Sequence, residues 1–289
     1  MKQIKKLKIG LALGGGGARG CAHIGVIKAL KEAGIEIHCI AGTSIGSVVG
    51  AIYSAGDLDA FEDFLINLKK KDVLMQLDPV IPKMGFLEGQ KVSKLLQKFI
   101  PKPVFGSCKI PFQAVATDLF LGTQKNFSEG NLIDAIRASI SIPGIFTPFK
   151  KGTHYYVDGG VLNPVPVDVA KSMGADIVIA VDLNHAFKGE NRIKKIKEEP
   201  NSWFSSNEPN ILDVLECSVF MMQNQISQKN LLIYPAEILI QPELESASLF
   251  DFHKAKRLIE IGYKTTKKVI SGANFKRFIQ SWLLSNMRP

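Results

Sequence analysis

Gly42-Thr43-Ser44-Ile45-Gly46 reads G-x-S-x-G, at the point where the apolar run 37–41 gives way to a helix-like run over 44–55. A serine on a sharp strand-to-helix turn stands clear of the sheet with its hydroxyl exposed, and Gly42 and Gly46 leave room for the tight backbone. The hydroxyl also lies at a helix N-terminus, where partial positive charge favours a developing anion. These features make Ser44 a candidate nucleophile. The competing reading is a glycine-softened turn whose serine merely caps the helix.

A second stretch, Gly14-Gly15-Gly16-Gly17-Ala18-Arg19-Gly20, follows a strand-like run over 8–13 and opens a helix that runs to about residue 33. Four consecutive glycines let backbone N–H groups converge on one point. Such a nest binds an anion, either a phosphate or the oxyanion of a tetrahedral intermediate. Gly15, Gly17 and Gly20 also spell the dinucleotide fingerprint G-x-G-x-x-G. That fingerprint wants an acidic residue about 20 positions on, at the end of the second strand. Here the second strand ends Ile40-Ala41-Gly42, with Glu36 at its beginning, and there is no G-x-x-x-x-G-K-[ST] pattern. If the first two strands are parallel neighbours, the glycine nest and Ser44 share the carboxyl edge of one sheet, where open α/β sheets bind ligands. That coincidence points to a serine hydrolase.

The base is less determined. Asp118, Asp158 and Asp182 each finish a predicted strand (110–117, 154–157 and 176–181), and any of them could face Ser44. Asp158-Gly159 is equally the standard hairpin-turn dipeptide. His185 and His253 are triad candidates on chain order, whereas His23 and His38 lie within early elements and His154 starts its strand. A carboxylate abstracts a serine proton only if burial, or coupling to the hydroxyl, raises its pKa.

Strands alternating with helices give a three-layer α/β/α fold with a mostly parallel central sheet, in one domain over 1–289. Helices are expected over 58–70 (capped by Asp57), 91–100, 131–139, 167–173, 211–229 and 251–270 (capped by Asp251). Short strands are expected over 124–127 and 237–241. The motif-bearing core covers about 8–183, followed by an insertion over 185–210 and a helical region over 211–289. The insertion carries mixed charge and then Trp203 and Phe204, which suits either a lid touching lipid or a solvated loop. Phe275, Phe278, Ile279, Trp282, Leu283 and Met287 recur at helical spacing beside Lys276 and Arg277, a basic amphipathic pattern.

Hydrophobic residues make up 46% of the 289 and charged residues 22%, as expected of a globular enzyme with a sizeable core. The net charge of +9 suits an anionic interface. Part of it is local, in Lys2, Lys5, Lys6 and Lys8. No basic array interleaved with aromatics and no zinc-ligand spacing is present, so neither nucleic acid nor a metal is expected. Cys21, Cys39, Cys108 and Cys217 form no C-x-x-C pair, which suggests a reduced, cytoplasmic protein. The early lysines and the short run Ile9–Leu13 imitate a signal peptide, but glycines and Arg19 break the run. No run of about 18 apolar residues exists to span a membrane.

Taken together, Gly14 to Gly20 (G-G-G-G-A-R-G), Gly42 to Gly46 (G-T-S-I-G) and Asp158-Gly159-Gly160 resemble, in order and rough spacing, the patatin-like phospholipases, and within them the bacterial neuropathy-target-esterase-like group. Ala138-Ser139-Ile140-Ser141-Ile142-Pro143 is similar to the segment this family carries before its aspartate. The resemblance covers roughly 8–183. It implies a Ser–Asp dyad, with Ser44 as nucleophile and Asp158 as base. It also implies an oxyanion hole from the N–H groups of Gly15, Gly16 and Gly17, with Arg19 and Gly20 supporting the loop and no cofactor. Implied substrates are phospholipids or lysophospholipids, cleaved through an acyl-serine intermediate, with peripheral contact to an anionic membrane. The alternative is a catalytically silent lipid-binding or regulatory protein on the same fold. Oligomeric state is not legible.

Overall fold

A computed structural model of the chain describes residues 7–75, 87–186, 211–244, 247–272 and 275. Most of the insertion, with Trp203 and Phe204, lies outside the described residues. So does the C-terminal amphipathic pattern beyond Phe275. In chain order the elements are β1 (Ile9–Leu13), α1 (Cys21–Glu32), β2 (Ile37–Thr43), α2 (Ile45–Ala55), α3 (Leu58–Ile66), α4 (Lys70–Met75), α5 (Gln90–Gln97), β3 (Phe112–Asp118), β4 (Thr123–Phe127), α6 (Leu132–Ser139), β5 (Phe149–Lys151), β6 (His154–Asp158), α7 (Val167–Ser172), β7 (Ile177–Val181), α8 (Ile211–Ile233), β8 (Ile238–Ile240) and α9 (Ala255–Ser271).

The strands form one sheet of eight, in the order β5-β6-β3-β2-β1-β7-β8, with β4 also on β3. β1, β2, β3, β7 and β8 are parallel, and β4, β5 and β6 add antiparallel pairings. This is the expected mostly parallel sheet. Side chains alternate across it with period two. Leu11, Leu13, Ile40, Ile177, Ile179 and Val181 enter the core beneath α1, α2 and α9. The small residues Ala12, Ala41 and Ala180 face the other way, onto Val167, Val169 and Ala170 of α7. Large residues on one face and small ones on the other set the helices at different distances from the sheet.

The β3 register fixes the geometry of everything that follows. β4 pairs with β3 over Ala114 to Asp118, occupying one edge. β2 pairs as far as Thr43 opposite Val115, and β6 pairs from Asp158 opposite Ala116. Both must therefore use the other edge, arriving from opposite directions and ending beside consecutive residues.

Three expectations change. The helix expected over 58–70 is two helices: α3, with Asp57 accepting from Ala60 N–H, and α4, entered where Lys69 N–H donates to Asp72. Asp251 does not cap α9. Its carboxylate accepts from Ser248 N–H and pairs with Lys254, and a 3-10 turn over Phe252–Lys254 precedes the helix. Asp158-Gly159 makes no hairpin: the chain enters a 3-10 turn over Gly159–Val161. Among the described residues no helix is long and apolar enough to cross a membrane.

α1 and α9 cross at backbone contact. A Cβ on Gly25 would lie 1.9 Å from Ile259 O, and one on Gly262 would lie 2.1 Å from Ala22 O. Both glycines are needed for the approach. Gly262→Val should therefore destabilise the chain by about 3 kcal/mol or more through overpacking. Urea unfolding checks this; a midpoint near that of the wild type would contradict the close crossing.

Candidate active site

Ser44 ends β2 and precedes α2 with φ 55° and ψ −127°, and it is the only non-glycine with positive φ among the described residues. A serine held there is strained by about 1–3 kcal/mol, which the surroundings must offset. Several do. Ser44 N–H donates to Ser139 Oγ at 2.8 Å, and Ser139 Oγ–H donates to Val115 O at 2.6 Å. Ser44 O accepts from Ser47 N–H at 2.8 Å and from Ser47 Oγ–H at 2.6 Å. Thr43 Oγ1–H donates to Asn163 O at 2.8 Å. Gly46 is needed for close approach, since a Cβ there would sit 2.1 Å from Leu13 O. Gly42 lies against the same turn, its own missing Cβ 2.5 Å from Gly46 O.

The three strand-end aspartates separate cleanly. Ser44 Oγ–H donates to Asp158 Oδ2, and Gly160 N–H donates to Asp158 Oδ1 at 2.7 Å. Gly159 packs on the β3 backbone, where a Cβ would stand 2.3 Å from Val115 O. Asp118 instead accepts from Phe120 and Leu121 N–H and holds His154 at 2.6 Å. Asp182 accepts from Asn184 N–H at 3.0 Å and from Gln241 at 3.4 Å. Neither His185 nor His253 is hydrogen-bonded to Ser44. Asp158 is fully buried, and that burial pushes its pKa from 3.8 up to about 7, against the opposing hydrogen bonds from Ser44 and Gly160.

The glycine loop lies beside Ser44: a Cβ on Gly15 would be 3.2 Å from Ser44 Cβ. Gly15 N–H, expected among the anion donors, donates to Pro164 O at 3.0 Å and is engaged. Gly14 N–H donates to Val181 O. Gly16, with φ 156°, and Gly17 N–H groups donate to no protein acceptor among the described residues. The chain then turns into a 3-10 turn over Gly17–Gly20, and Gly20 packs on Ile45.

Arg19 is 1% exposed. Its Nε–H donates to Ala247 O at 3.0 Å and its Nη1–H to Asn184 Oδ1 at 2.8 Å, and the guanidinium lies 4.3 Å from the Phe220 ring centroid. Asn184 Nδ2–H donates onward to Gly15 O at 3.2 Å and to Gln223 Oε1 at 3.1 Å. His23 Nε2 lies 2.8 Å from Gly14 O, which can only accept, so that nitrogen carries the proton. Burial holds the His23 pKa down at about 4, so the ring is neutral.

These supporting residues were not legible as site residues. Ser139 falls in the segment before the aspartate, where nothing in its spacing assigns it a role, and His23 lies within an early element. Asn184, Phe220 and Gln223 come from the region beyond β7, and no spacing connects them to the glycine loop.

An apolar cavity of about 140 Å³ opens beside Ser44. Gly17, Ile45 and Val48 line it near the serine, and Phe61, Leu65, Val92 and Leu95 come from α3 and α5. Ile140, Ile142 and Phe146 contribute to the wall, so the segment after α6 is both core and cavity lining.

A family model described as Patatin-like phospholipase matches residues 11–171. An uncharacterised NTE family protein of Mycobacterium tuberculosis is 42% identical over 194 residues, 67% of this chain and 53% of that protein. Patatin-like phospholipase domain-containing protein 6 of Homo sapiens is 27% identical over 291 residues, 95% of this chain and 21% of that protein. VipD of Legionella pneumophila is a structural neighbour with a TM-score of 0.49 and 14% identity, over 92% of this chain and 66% of that one. The chain thus spans about half the length of the mycobacterial relative.

The raised Asp158 pKa makes a stability prediction that needs no assay. Below the unfolded pKa of about 4 both states hold the proton, and between there and about 7 the folded state holds it more tightly. Wild-type stability from this group is therefore lost as pH climbs from about 4 through about 7. Asp158→Asn carries no such ionisation. Its melting temperature relative to wild type should rise across that window, read by thermal melts at successive pH values. A difference flat in pH would mean that the carboxyl titrates normally.

Proposed function

The chain belongs to the patatin-like phospholipase family, and on that footing we propose that it hydrolyses acyl esters of phospholipids or lysophospholipids with a Ser44–Asp158 dyad. The observation that carries this reading is the hydrogen bond from Ser44, which lines an apolar cavity, to the buried, elevated-pKa carboxyl of Asp158.

Each step has a residue. The acyl chain lies in the cavity, which presents its ester carbonyl to Ser44. Ser44 Oγ attacks as its proton passes to Asp158 Oδ2. A carboxylate with a pKa of about 7 is a far better base than one at 3.8, and near neutral pH it exists in both forms. The tetrahedral oxyanion is met by Gly16 and Gly17 N–H, while Gly15 brings the loop close without being a donor. Collapse returns the proton to the departing alcohol and leaves an acyl-serine. Asp158 then takes a proton from water as its oxygen adds to the acyl carbon, and returns that proton to Ser44 Oγ as the acyl–oxygen bond breaks and the fatty acid leaves. Arg19 and Asn184 hold the loop in place. The cavity favours one aliphatic chain at a time.

Ser44→Ala should abolish ester hydrolysis and labelling by a fluorophosphonate, and Asp158→Asn should lower kcat by about 10³-fold. Wild-type rates should climb as pH rises through about 7, the direction opposite to the stability trend. Mass-spectrometric analysis of products from a lysophospholipid panel identifies the bond cleaved. If the wild type neither labels nor turns over any ester, the fold is serving as a lipid binder.

Val48 lies one helical turn beyond Ser44 on α2 and lines the cavity. Val48→Phe should fill its near end. The ratio of kcat/KM for long-chain to butyryl esters should fall by about tenfold or more, since each excluded methylene forfeits burial. An unchanged ratio would place the acyl chain elsewhere.

A further inference from the structure

The hairpin joining β3 to β4 ends in Leu119-Phe120-Leu121-Gly122, at the carboxyl edge of the parallel sheet. Leu119 is 53% exposed, Phe120 74% and Leu121 61%. A turn favours polar residues and glycine, so three consecutive large apolar side chains in water are not explained by the turn itself.

The tip is well braced. Asp118 Oδ1 accepts from Phe120 N–H at 2.9 Å and from Leu121 N–H at 3.2 Å, and Asp118 O accepts from Gly122 N–H at 2.9 Å. Leu119 N–H donates to Tyr155 O at 2.9 Å. The Phe120 ring meets His154 edge-on, with centroids 5.3 Å apart, and His154 is held by Asp118 Oδ2. Backbone donors are thus satisfied within the protein, as entry into an apolar medium requires.

The surroundings say which medium. Leu119, Phe120, Pro148 and Tyr155 line an open depression of about 320 Å³. Exposed Lys150 has its Nζ 5.5 Å from the Tyr155 ring centroid, whereas Lys151, next along β5 and so on the opposite face, has its Nζ 5.5 Å from the Phe127 ring centroid. An apolar wedge rimmed by a tyrosine and a lysine matches an anionic lipid interface, where rings sit at headgroup depth and ammonium groups meet phosphates. Leu119 is three residues past Ala116, the partner of Asp158, so the wedge starts about 10 Å from the dyad along β3.

We infer that Leu119, Phe120 and Leu121 insert into the headgroup boundary of an anionic membrane, with Lys150 on lipid phosphates, seating the Ser44 edge against its substrate surface. The purpose rests on the lipid-hydrolase reading; the binding does not, and it is measured without turnover.

The test is flotation of the full chain, carrying Ser44→Ala to remove hydrolysis, with phosphatidylcholine vesicles with and without phosphatidylglycerol. Phe120→Asp should lower partition by about tenfold or more. Lys150→Glu should lower it only on the vesicles that contain phosphatidylglycerol. Phe120→Trp should shift its emission to the blue on adding those vesicles, read against the background of Trp203 and Trp282. In the Ser44 background, hydrolysis of a soluble butyryl ester should be unchanged by Phe120→Asp. Unchanged partition with no emission shift overturns the inference. So does a wild-type dimer that Phe120→Asp converts to monomer, which would make the wedge a self-association surface. If Phe120→Asp does not fold, the emission of Phe120→Trp decides. Failure of the hydrolase reading shows separately, as absent ester turnover in the wild type.

Discussion

Val115 and Ala116 are consecutive residues of β3, and each pairs with the last residue of a strand arriving from the opposite direction, Thr43 of β2 and Asp158 of β6. Because β4 takes the other edge, β2 and β6 must meet head-on. A serine leaving one strand and a carboxylate ending the other are then within hydrogen-bond reach by construction. The meeting leaves a break in the ladder, which Ser139 fills: it donates to Val115 O and accepts from Ser44 N–H. One hydroxyl thereby satisfies the sheet and fixes the strained serine. Substituting a longer or apolar side chain at Ser139 would disturb both at once.

The same arrangement carries a cost that ordinary folding would avoid. Moving a carboxyl from a pKa of 3.8 to about 7 corresponds to roughly 4 kcal/mol of preference for the protonated form. Only two hydrogen bonds, from Ser44 and Gly160, work in the other direction. The backbone of Ser44 adds strain of its own. These terms are offset by the alternating sheet and the close α1–α9 crossing, which lie away from the chemistry. Strain at a serine and a raised pKa at the aspartate it donates to are the kind of perturbation that clusters at functional sites.

Sequence reading recovered what local physics encodes. β1 and β2 were visible as apolar runs, Ser44 and the glycine loop as their carboxyl-end punctuation, and the layered fold as strand–helix alternation. The choice among Asp118, Asp158 and Asp182 was invisible to spacing, because it depends on the division of the β3 edge between two strands. β5 gave no signal: Phe149–Lys151 is three residues long and mostly polar, and it exists because β6 offers it an edge. The split between α3 and α4 hinges on one side-chain bond, Asp72 to Lys69 N–H, competing with a continuous helix. The family resemblance implied Gly15 among the oxyanion donors, whereas its N–H donates to Pro164 O through a contact of long sequence separation.

The region beyond β7 looked uninformative, yet the glycine loop depends on it. A guanidinium buried to 1% exposure must be hydrogen-bonded, and two acceptors that Arg19 uses are Ala247 O and Asn184 Oδ1. Asn184 in turn holds Gly15 O and Gln223, and Ala18 N–H donates to Leu249 O. A Cβ on Gly17 would strike Leu249, so the loop is pressed directly against that segment. Phe220 closes the stack beneath the guanidinium. The residues matched by the family description end at 171, so they hold Ser44 and Asp158 but not the groups beyond β7 that shape the loop beside them. These contacts satisfy two of the guanidinium's donors and hold the loop in the conformation in which Gly16 and Gly17 N–H donate to no acceptor among the described residues. The geometry around Ser44 is therefore a property of the whole described chain: strands bring Ser44 and Asp158 together, and the distant C-terminal segments press on the loop that faces them.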